Sequence, residues 1–345
     1  MHQTIPTRTV RQKLTMNDVV QSTQGGPKRY IVYGPRSMRL SEDDNYGVMG
    51  QLALMDSMLV PGSQDLRLQI DPFDKKLSPC HTFNRLRILA DTTVLVSSPI
   101  SISEASNSQS PISINDTSSL TLRLQGQGRV YGISLESDTG VIVDNIPMRG
   151  CSGNIFTRID SAQLASFYRE TNTRLIILQF GGNMIPQTEN QSTISGYVRS
   201  TMRQQVRYLR ACAPDASILL IGPSDMSTNI DGQMTTYPLV PYMDRLMRQM
   251  AAEEQIAYWS IYEAMGGYNS MVTWHDKGLA GSDYVHFTRA GAYKIGRQLY
   301  QWLDTQYQSY LASSPDSLLA SSPDSLAIIA AGDSVNHEQI VDSIE

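Results

Sequence analysis

The feature that most constrains the fold is an alternation of short apolar runs with helical patterns between residues 158 and 310. Chain segments that alternate in this way predict a parallel sheet covered by helices on both faces, because each strand needs a crossover to return in the same direction. Ligands of such sheets bind at the carboxyl ends of the strands. In chain order, the predicted elements are a helix at 158–171, a strand at 175–180, a helix at 193–212, a strand at 217–221, a helix at 240–254, a strand at 256–261 and a helix at 288–310.

The residues from 28 to 141 follow a different pattern, with a period of two. Arg85 to Ile88, Leu120 to Leu124 and Val130 to Leu135 alternate apolar and polar residues between turn-forming segments. That period places one face of each strand in a core and the other in water. We predict an N-terminal all-β domain of jelly-roll sandwich type.

Two further segments flank these units. Residues 1–27 are polar and end in a Gly-Gly-Pro break, which predicts an extended lead-in. The eight residues Leu311–Leu318 recur unchanged at Leu319–Leu326, and this Ser- and Pro-rich repeat predicts a disordered tail. The predicted division is therefore a lead-in at 1–27, a β-sandwich at 28–141, an α/β domain at 142–311 and a tail at 312–345.

The composition argues against several classes of function. A net charge of −5 and a pI near 5.6 argue against nucleic acid as a partner. The sequence has no run of about 18 apolar residues, so it predicts no membrane span, and its start lacks the pattern of a signal peptide. The oligomeric state is not indicated.

Metal and cofactor sites are also not predicted. The three cysteines (Cys80, Cys151 and Cys212) include no CxxC pair, and the chain contains five histidines. This count does not support a structural zinc site, and we expect buried free thiols.

Asp283-Tyr284-Val285-His286 is the segment most suggestive of chemistry. It places an acid three residues before a histidine at the start of the last predicted helix. In that arrangement the carboxylate orients the imidazole, whose other nitrogen can take a proton from a nucleophile. Gly181-Gly182-Asn183 follows the predicted strand at 175–180, where Gly181 and Asn183 are suited to donate hydrogen bonds to an oxyanion.

In this order, these segments resemble the SGNH (GDSL-type) hydrolases over residues 142–310. Gly181-Gly182-Asn183 matches the family's third block and Asp283–His286 its fourth, while residues 149–153 stand where the second block is expected. The resemblance implies a flavodoxin-like three-layer domain, a Ser-His-Asp esterase mechanism with His286 and Asp283, and no metal or cofactor. It also implies oxyanion donors at Asn183 and at Gly153, with Gly150 as the alternative.

The chain also resembles a bacterial subgroup in which a β-sandwich follows the first block. That resemblance implies a polysaccharide or peptidoglycan O-acetylesterase, with an acylated glycan as substrate and a periplasmic or cell-surface location. No Gly-Asp-Ser segment precedes residue 28, although the first block of this subgroup lies before the β domain. We therefore predict that a Gly-Asp-Ser segment, after an export signal, lies upstream in a longer reading frame.

Three serines are candidates for the nucleophile. Ser152 lies between two glycines, Ser37 follows an apolar run, and Ser334 stands in a literal Gly332-Asp333-Ser334 that would be a permuted first block. We take Ser152 as the candidate nucleophile.

Two other groups of residues receive structural assignments. His275 is predicted to lie in a loop or at the rim of the site. Tyr237, Tyr242 and Tyr268 are assigned to packing rather than to sugar binding.

The sequence leaves three interpretations of function open. The first is an ester hydrolase that removes acetyl groups from a carbohydrate. The second is a non-catalytic glycan-binding protein derived from such a hydrolase, and the third is a truncated product of an active parent.

Overall fold

The structure is a computed structural model that describes residues 151–313 continuously and shorter stretches before them. These stretches form eight strands: β1 (Ile31–Tyr33), β2 (Leu52–Met55), β3 (Asp65–Ile70), β4 (Arg85–Ala90), β5 (Val94–Ser97), β6 (Ile112–Ser113), β7 (Leu120–Gly126) and β8 (Gly128–Glu136). Residues 127, 142–144 and 146 are also described.

The strands before residue 137 pair antiparallel in two sheets. One sheet has the order β1-β2-β8-β4-β6 and the other the order β3-β7-β5. Gly126 and Gly128, both at positive φ, allow the sharp turn by which the chain leaves β7 in one sheet and enters β8 in the other. The described strands thus have the antiparallel pairing expected of an all-β region, while the jelly-roll arrangement and the four domain boundaries stay predictions. In β4 the expected alternation is absent, since Arg87, Ile88, Leu89 and Ala90 are all buried.

The C-terminal half contains the predicted parallel sheet. Its order is β13-β10-β9, where β9 is Leu175–Gln179, β10 is Ser217–Ile221 and β13 is Ala257–Trp259. The strand predicted at 256–261 was too long at its carboxyl end. Ser260 accepts a hydrogen bond from the backbone N–H of Glu263 at 3.0 Å and so begins a helix, because a serine oxygen satisfies an otherwise unpaired donor of the first turn.

Seven α-helical segments surround this sheet within residues 151–313. They are α1 (Ser161–Glu170), α2 (Gln191–Gly196), α3 (Arg203–Cys212), α4 (Val240–Glu253), α5 (Ile261–Met265), α6 (Ser270–Asp276) and α7 (Arg289–Ser313). The helix predicted at 193–212 is interrupted, since a π-helical stretch, Tyr197–Met202, joins α2 to α3. The sequence patterns missed α5, α6 and the hairpin of β11 (Ser227–Ile230) and β12 (Gln233–Thr236).

Two separate cores lie on opposite faces of the parallel sheet. Ile218 and Leu220 of β10 pack with residues of α1, α3 and α4 on one side. Leu219 and Ile221 point the other way and pack with Trp274 of α6 and Ile295 of α7. Neighbouring residues of a strand point to opposite faces, so this division defines three layers, helices–sheet–helices, as the sequence predicted.

Two smaller points complete the fold. Cys151 and Cys212 are buried and carry free thiols, as expected, while Cys80 lies outside the described residues. Among the described helices, none is both long enough and apolar enough to cross a bilayer.

Candidate active site

Asp283 and His286 form a hydrogen-bonded pair in an open loop before α7. Oδ2 of Asp283 lies 2.7 Å from Nδ1 of His286, and 81% of the histidine side chain is exposed. Within residues 151–313, Nε2 of His286 has no hydrogen-bond partner. The imidazole is therefore oriented through one nitrogen while the other faces solvent, as a base that must meet a substrate requires.

The backbone of this loop fixes the carboxylate as well. Oδ1 of Asp283 accepts from the N–H groups of Val285 and His286, each at 3.0 Å. The hydrogen bonds from the backbone and then the ring of His286 lower the pKa of Asp283 to about 2, because they favour the ionised form. Asp283 is consequently an anion at neutral pH and can stabilise an imidazolium beside it.

The loop is tied to the body of the domain at several points. The N–H of Gly281 donates to the carbonyl of His286 at 2.8 Å, and the N–H of Ser227 donates to the carbonyl of Tyr284 at 2.9 Å. Tyr284 has a φ of 54°, an uncommon conformation for an aromatic residue, and its ring stacks on His275 at 4.2 Å between centroids. These contacts hold the loop in a conformation that local preference alone would not choose.

Gly181 and Asn183 follow the carboxyl end of β9, as predicted. Gly181 has a φ of 107°, a conformation that side-chain-bearing residues rarely adopt, and a Cβ there would lie 3.0 Å from Sδ of Met247. Asn183 is exposed, and its Nδ2 donates to the carbonyl of Cys151 at 3.0 Å. An amide nitrogen carries two hydrogens, so one donor of Asn183 stays available for a ligand.

The Cys151–Gly153 loop lies against the same strand end. Gly153 has a φ of 73°, and a Cβ there would lie 2.5 Å from the ring of Phe180. The hydroxyl of Tyr197 donates to the carbonyl of Ser152, and the N–H of Gly153 donates to Sγ of Cys151 at 3.3 Å. The Gly153 donor is thus occupied only by sulfur, a weak acceptor.

These three loops converge on one edge of the sheet. A Cβ on Gly182 would lie 3.8 Å from Sδ of Met226, and the next residue, Ser227, holds the loop of Asp283 and His286 through Tyr284. Asn183 links the same edge to Cys151. The loop of Asp283 and His286 and the loops of Asn183 and Gly153 are thus each linked to the carboxyl ends of β9 and β10, the edge at which ligands bind in such sheets.

Among the candidates for the nucleophile, the structure describes Ser152. Ser152 is half-buried in its loop and is not hydrogen-bonded to His286. Gly150, Ser37 and Ser334 lie outside the described residues.

His275 was predicted in a loop or at the rim. It does not lie in a loop but in the last turn of α6, paired with Asp276 at 3.4 Å, and its ring stacks on Tyr284 of the loop that carries His286. Tyr237 and Tyr242 pack against the core as predicted, whereas Tyr268 is 62% exposed and its hydroxyl contacts Thr235.

The structure adds two residues that sequence patterns did not select. Tyr197 holds the Ser152 carbonyl, and burial, with a smaller contribution from Cys151, raises the pKa of its phenol above the usual range. Its position in a π-helical stretch, a feature often found at functional sites, aims it at the loop. Met226 connects the strand ends, and no sequence signal indicated it.

The arrangement supports nucleophilic acyl chemistry. An exposed imidazole is paired with a carboxylate that is ionised, and amide donors lie at the neighbouring strand end. Within the described part of the chain, no group of three or more His, Cys, Asp or Glu side chains is arranged to hold a metal ion.

A three-layer α/β domain with an Asp-x-x-His loop and a Gly-x-Asn turn at the carboxyl edge of its sheet is an SGNH hydrolase. The model of the GDSL-like lipase/acylhydrolase family matches residues 115–294, more than half of the chain. The chain belongs to this family.

One solved structure shares the fold, and a second is reported for its similarity alone. A structure titled as a peptidoglycan O-acetylesterase in action aligns with a TM-score of 0.60 at 18% identity, over 83% of this chain and 80% of that one. A carbohydrate acetylesterase from Sinorhizobium meliloti aligns at 13% identity over 47% of this chain and 70% of its own, with a TM-score of 0.32. None of the curated proteins matches.

Proposed function

We propose that this protein is a serine esterase that removes acyl groups, most simply acetyl groups, from a polysaccharide or peptidoglycan-type glycan. The observation that carries the proposal is the pair of Asp283 and His286, joined at 2.7 Å while the imidazole stays 81% exposed. A fully buried Asp–His pair could not reach a substrate, whereas Asp283 and His286 are exposed at the edge of the sheet where ligands bind. Membership of an acylhydrolase family supports the reaction class.

The proposed mechanism has two proton transfers through His286. A serine hydroxyl attacks the ester carbonyl carbon, and its proton passes to Nε2 of His286 while Asp283 stabilises the imidazolium. The amide of Asn183 and the N–H of Gly153 donate hydrogen bonds to the developing oxyanion. The N–H of Gly153 gives up its hydrogen bond to Sγ of Cys151 in order to do so. The imidazolium then protonates the leaving sugar alkoxide, and water releases the acyl group by the same steps in reverse order.

Two further observations support a glycan as the substrate. The antiparallel sheets before residue 137 are of the kind that small carbohydrate-binding domains use, and the best-aligned structure named above is titled as a peptidoglycan O-acetylesterase. An envelope glycan would place the protein outside the cytoplasm, in the periplasm or on the cell surface. The proposal requires no cofactor.

The direct test measures acetate release from p-nitrophenyl acetate and from O-acetylated peptidoglycan. We expect turnover of both, with a loss of about 10³- to 10⁴-fold in His286→Ala, since removal of a triad member leaves only binding and oxyanion stabilisation. Asn229→Ala is the control, because the side chain of Asn229 bonds to Gly232 within the turn of the β11–β12 hairpin, and it should keep most of the wild-type rate.

Two outcomes would contradict the proposal. Equal turnover in wild type and His286→Ala would show that the ester is cleaved elsewhere on the molecule. Tight glycan binding without acetate release would favour the non-catalytic binding protein instead.

A further inference from the structure

The loop that carries Asp283 and His286 contains a residue in an unfavourable backbone conformation. Tyr284 lies between Asp283 and Val285 with a φ of 54°, in the left-handed region that residues with side chains rarely adopt. Glycine would reach this conformation without steric cost, and asparagine would tolerate it better than tyrosine does. An aromatic residue persists in it only where the surrounding contacts compensate for the strain.

The ring of Tyr284 makes a contact that can compensate. It stacks on the imidazole of His275, with 4.2 Å between the ring centroids and 27° between the ring planes. Stacked aromatic rings stabilise one another beyond the apolar area that they bury. The side chain of His275 is 32% exposed, so the stack is partly shielded from water. Tyr284 also packs against the core on the α6–α7 side of the sheet.

A second pair of rings holds the other side of the loop. Trp274, the residue before His275 in α6, lies 5.4 Å from Phe287 between ring centroids, and Phe287 directly follows His286. The indole N–H of Trp274 donates to the carbonyl of Met265 at 3.0 Å, which fixes α6 to α5. Consecutive residues of α6 therefore contact the loop on both sides of its histidine. We call the members of these two ring pairs the aromatic clamp: Trp274, His275, Tyr284 and Phe287.

The two members of the clamp that belong to α6 differ in burial. Trp274 is 3% exposed and is part of the core with Met271 and Ile295, so its loss would disturb the fold itself. His275 is partly exposed, and Nδ1 of its ring lies 3.4 Å from Oδ1 of Asp276, which is long for a hydrogen bond. His275 can therefore be replaced without opening the core, and its replacement removes the stack on the loop.

The backbone at Tyr284 determines the hydrogen bonds of the Asp283 carboxylate. Oδ1 of Asp283 accepts from the N–H groups of Val285 and His286, each at 3.0 Å, and the chain reaches both donors through Tyr284. The carbonyl of Tyr284 is itself fixed by the N–H of Ser227 at 2.9 Å. A rotation of the backbone at Tyr284 would move both donors away from Oδ1. It would also move the imidazole that bonds to Oδ2 of the same carboxylate.

We propose that His275 is a positioning residue for Asp283 and His286, and that it acts by holding Tyr284 in the left-handed conformation. The proposal rests on the esterase function proposed above and adds to that site a second histidine with no role in proton transfer. The influence of His275 passes through the loop, because its ring stacks on Tyr284 while the ring of His286 bonds to Asp283.

The first experiment compares the kinetics of His275→Ala, His275→Phe and the wild-type chain on p-nitrophenyl acetate. We expect His275→Ala to lower kcat by about 10- to 100-fold, since misplacing a catalytic group by about 1 Å can cost about 10²-fold in rate. KM should stay within about 3-fold, because the substitution removes no contact to the substrate. His275→Phe keeps a ring against Tyr284, so it should restore most of kcat and show the wild-type pH dependence. Thr273→Ala, at an exposed position of the same helix, is the matched control.

Three outcomes of these kinetics would overturn the proposal. An unchanged kcat in His275→Ala would show that the stack does not position the pair. A His275→Phe variant as inactive as His286→Ala would make His275 a group that transfers protons. A rise in KM at constant kcat would assign His275 to substrate binding.

Tyr284→Gly separates the backbone conformation from the ring. Glycine adopts a φ of 54° freely but offers no ring to His275. We expect this variant to lose as much kcat as His275→Ala, and the double variant to lose little more, since both substitutions remove one shared contact. Full activity in Tyr284→Gly would show that the backbone conformation is sufficient without the stack, and the proposal would be wrong.

A measurement without substrate separates this inference from the esterase function. The N–H groups of Val285 and His286 bond to Asp283, so their hydrogen exchange reports on the loop directly. In His275→Ala we expect these two amides to exchange at least about 10-fold faster, while the amides of β10 keep their wild-type rates. Unchanged exchange at Val285 and His286 overturns the proposal even in an active esterase. Faster exchange in a chain whose wild type releases no acetate would uphold the positioning by His275 and overturn the esterase function instead.

Discussion

Two carboxylates at the same edge of the sheet have opposite surroundings. Asp283 is half exposed, and three hydrogen bonds from Val285 and His286 lower its pKa to about 2. Asp225, which follows β10, is fully buried, and loss of water raises the pKa of its carboxyl despite its hydrogen bonds. A charge that is both stabilised and accessible can act on a substrate, whereas a charge sealed among protein donors can only hold the structure.

The contacts of Asp225 show what it holds. It accepts from the hydroxyl of Thr236 at 2.8 Å, the hydroxyl of Ser270 at 3.3 Å and the N–H of Met271 at 2.8 Å. It thereby joins the β11–β12 hairpin to the start of α6, beside the loop that carries His286. We assign Asp225 to holding the β11–β12 hairpin against α6, and Asp283 to the proposed chemistry.

The largest expected effect comes from Asp283→Asn. We predict a fall in kcat of about 10³- to 10⁴-fold with a little-changed melting temperature, because the amide cannot stabilise the imidazolium and favours the wrong tautomer. Adding His286→Ala should lower the rate little further, since the two groups act as one unit. Asp276→Asn, an exposed aspartate beside His275, is the matched control. If the losses in kcat of the two single variants add up in the double variant, the two residues act independently and the assignment of a catalytic pair is wrong.

Asp225→Ala should lower the stability of the fold and leave kcat unchanged, the reverse of Asp283→Asn. We predict a loss of about 3 kcal/mol in the free energy of unfolding, because the substitution leaves the three donors buried without an acceptor. The measurement is urea unfolding, with exposed Asp276→Ala as the comparison. Molecules that remain folded should keep their kcat. An unchanged stability together with a collapsed kcat would mean that Asp225, not Asp283, is the functional carboxylate.

Asn183→Ala should have an intermediate effect on the open site. We predict a loss of about 10²-fold in kcat with KM nearly constant, since a donor to the oxyanion acts mainly in the transition state. Asn229→Ala, in the turn of the β11–β12 hairpin, removes a comparable amide far from the proposed chemistry and serves as the control. A rise in KM at constant kcat would assign Asn183 to substrate binding instead.

The smallest effect concerns pH. The folded pKa of Asp283, about 2, lies below the ordinary value of 3.8, so its ionised form stabilises the fold. That contribution is complete above about pH 4 and is lost as the pH falls through 2. Because the side chain is about half exposed, the difference should stay below about 1 kcal/mol. Urea unfolding of wild type and Asp283→Asn at pH 2, 3 and 5 measures it, and a difference that grows toward low pH would contradict the sign.

The comparison also shows where sequence patterns were informative. The period of the apolar residues predicted β9, β10, α1, α4 and α7 to within a few residues, because burial on one or both faces leaves a regular trace in the chain. The Asp-x-x-His spacing predicted the Asp283–His286 bond for a similar reason, since both partners lie within one short loop. The short helices α5 and α6 were missed, because five or seven residues carry too little periodicity to be recognised.

The sequence by itself thus determined the layered fold, the family and the local pair of acid and histidine, all of which depend on neighbours along the chain. Only the tertiary structure decided which carboxylate is open and which is buried. It also placed Tyr197 on the loop of Ser152 and Ser227 beside Tyr284 of the loop that carries His286. These features join residues tens of positions apart, and their energies depend on solvent exclusion and packing, which no local pattern records.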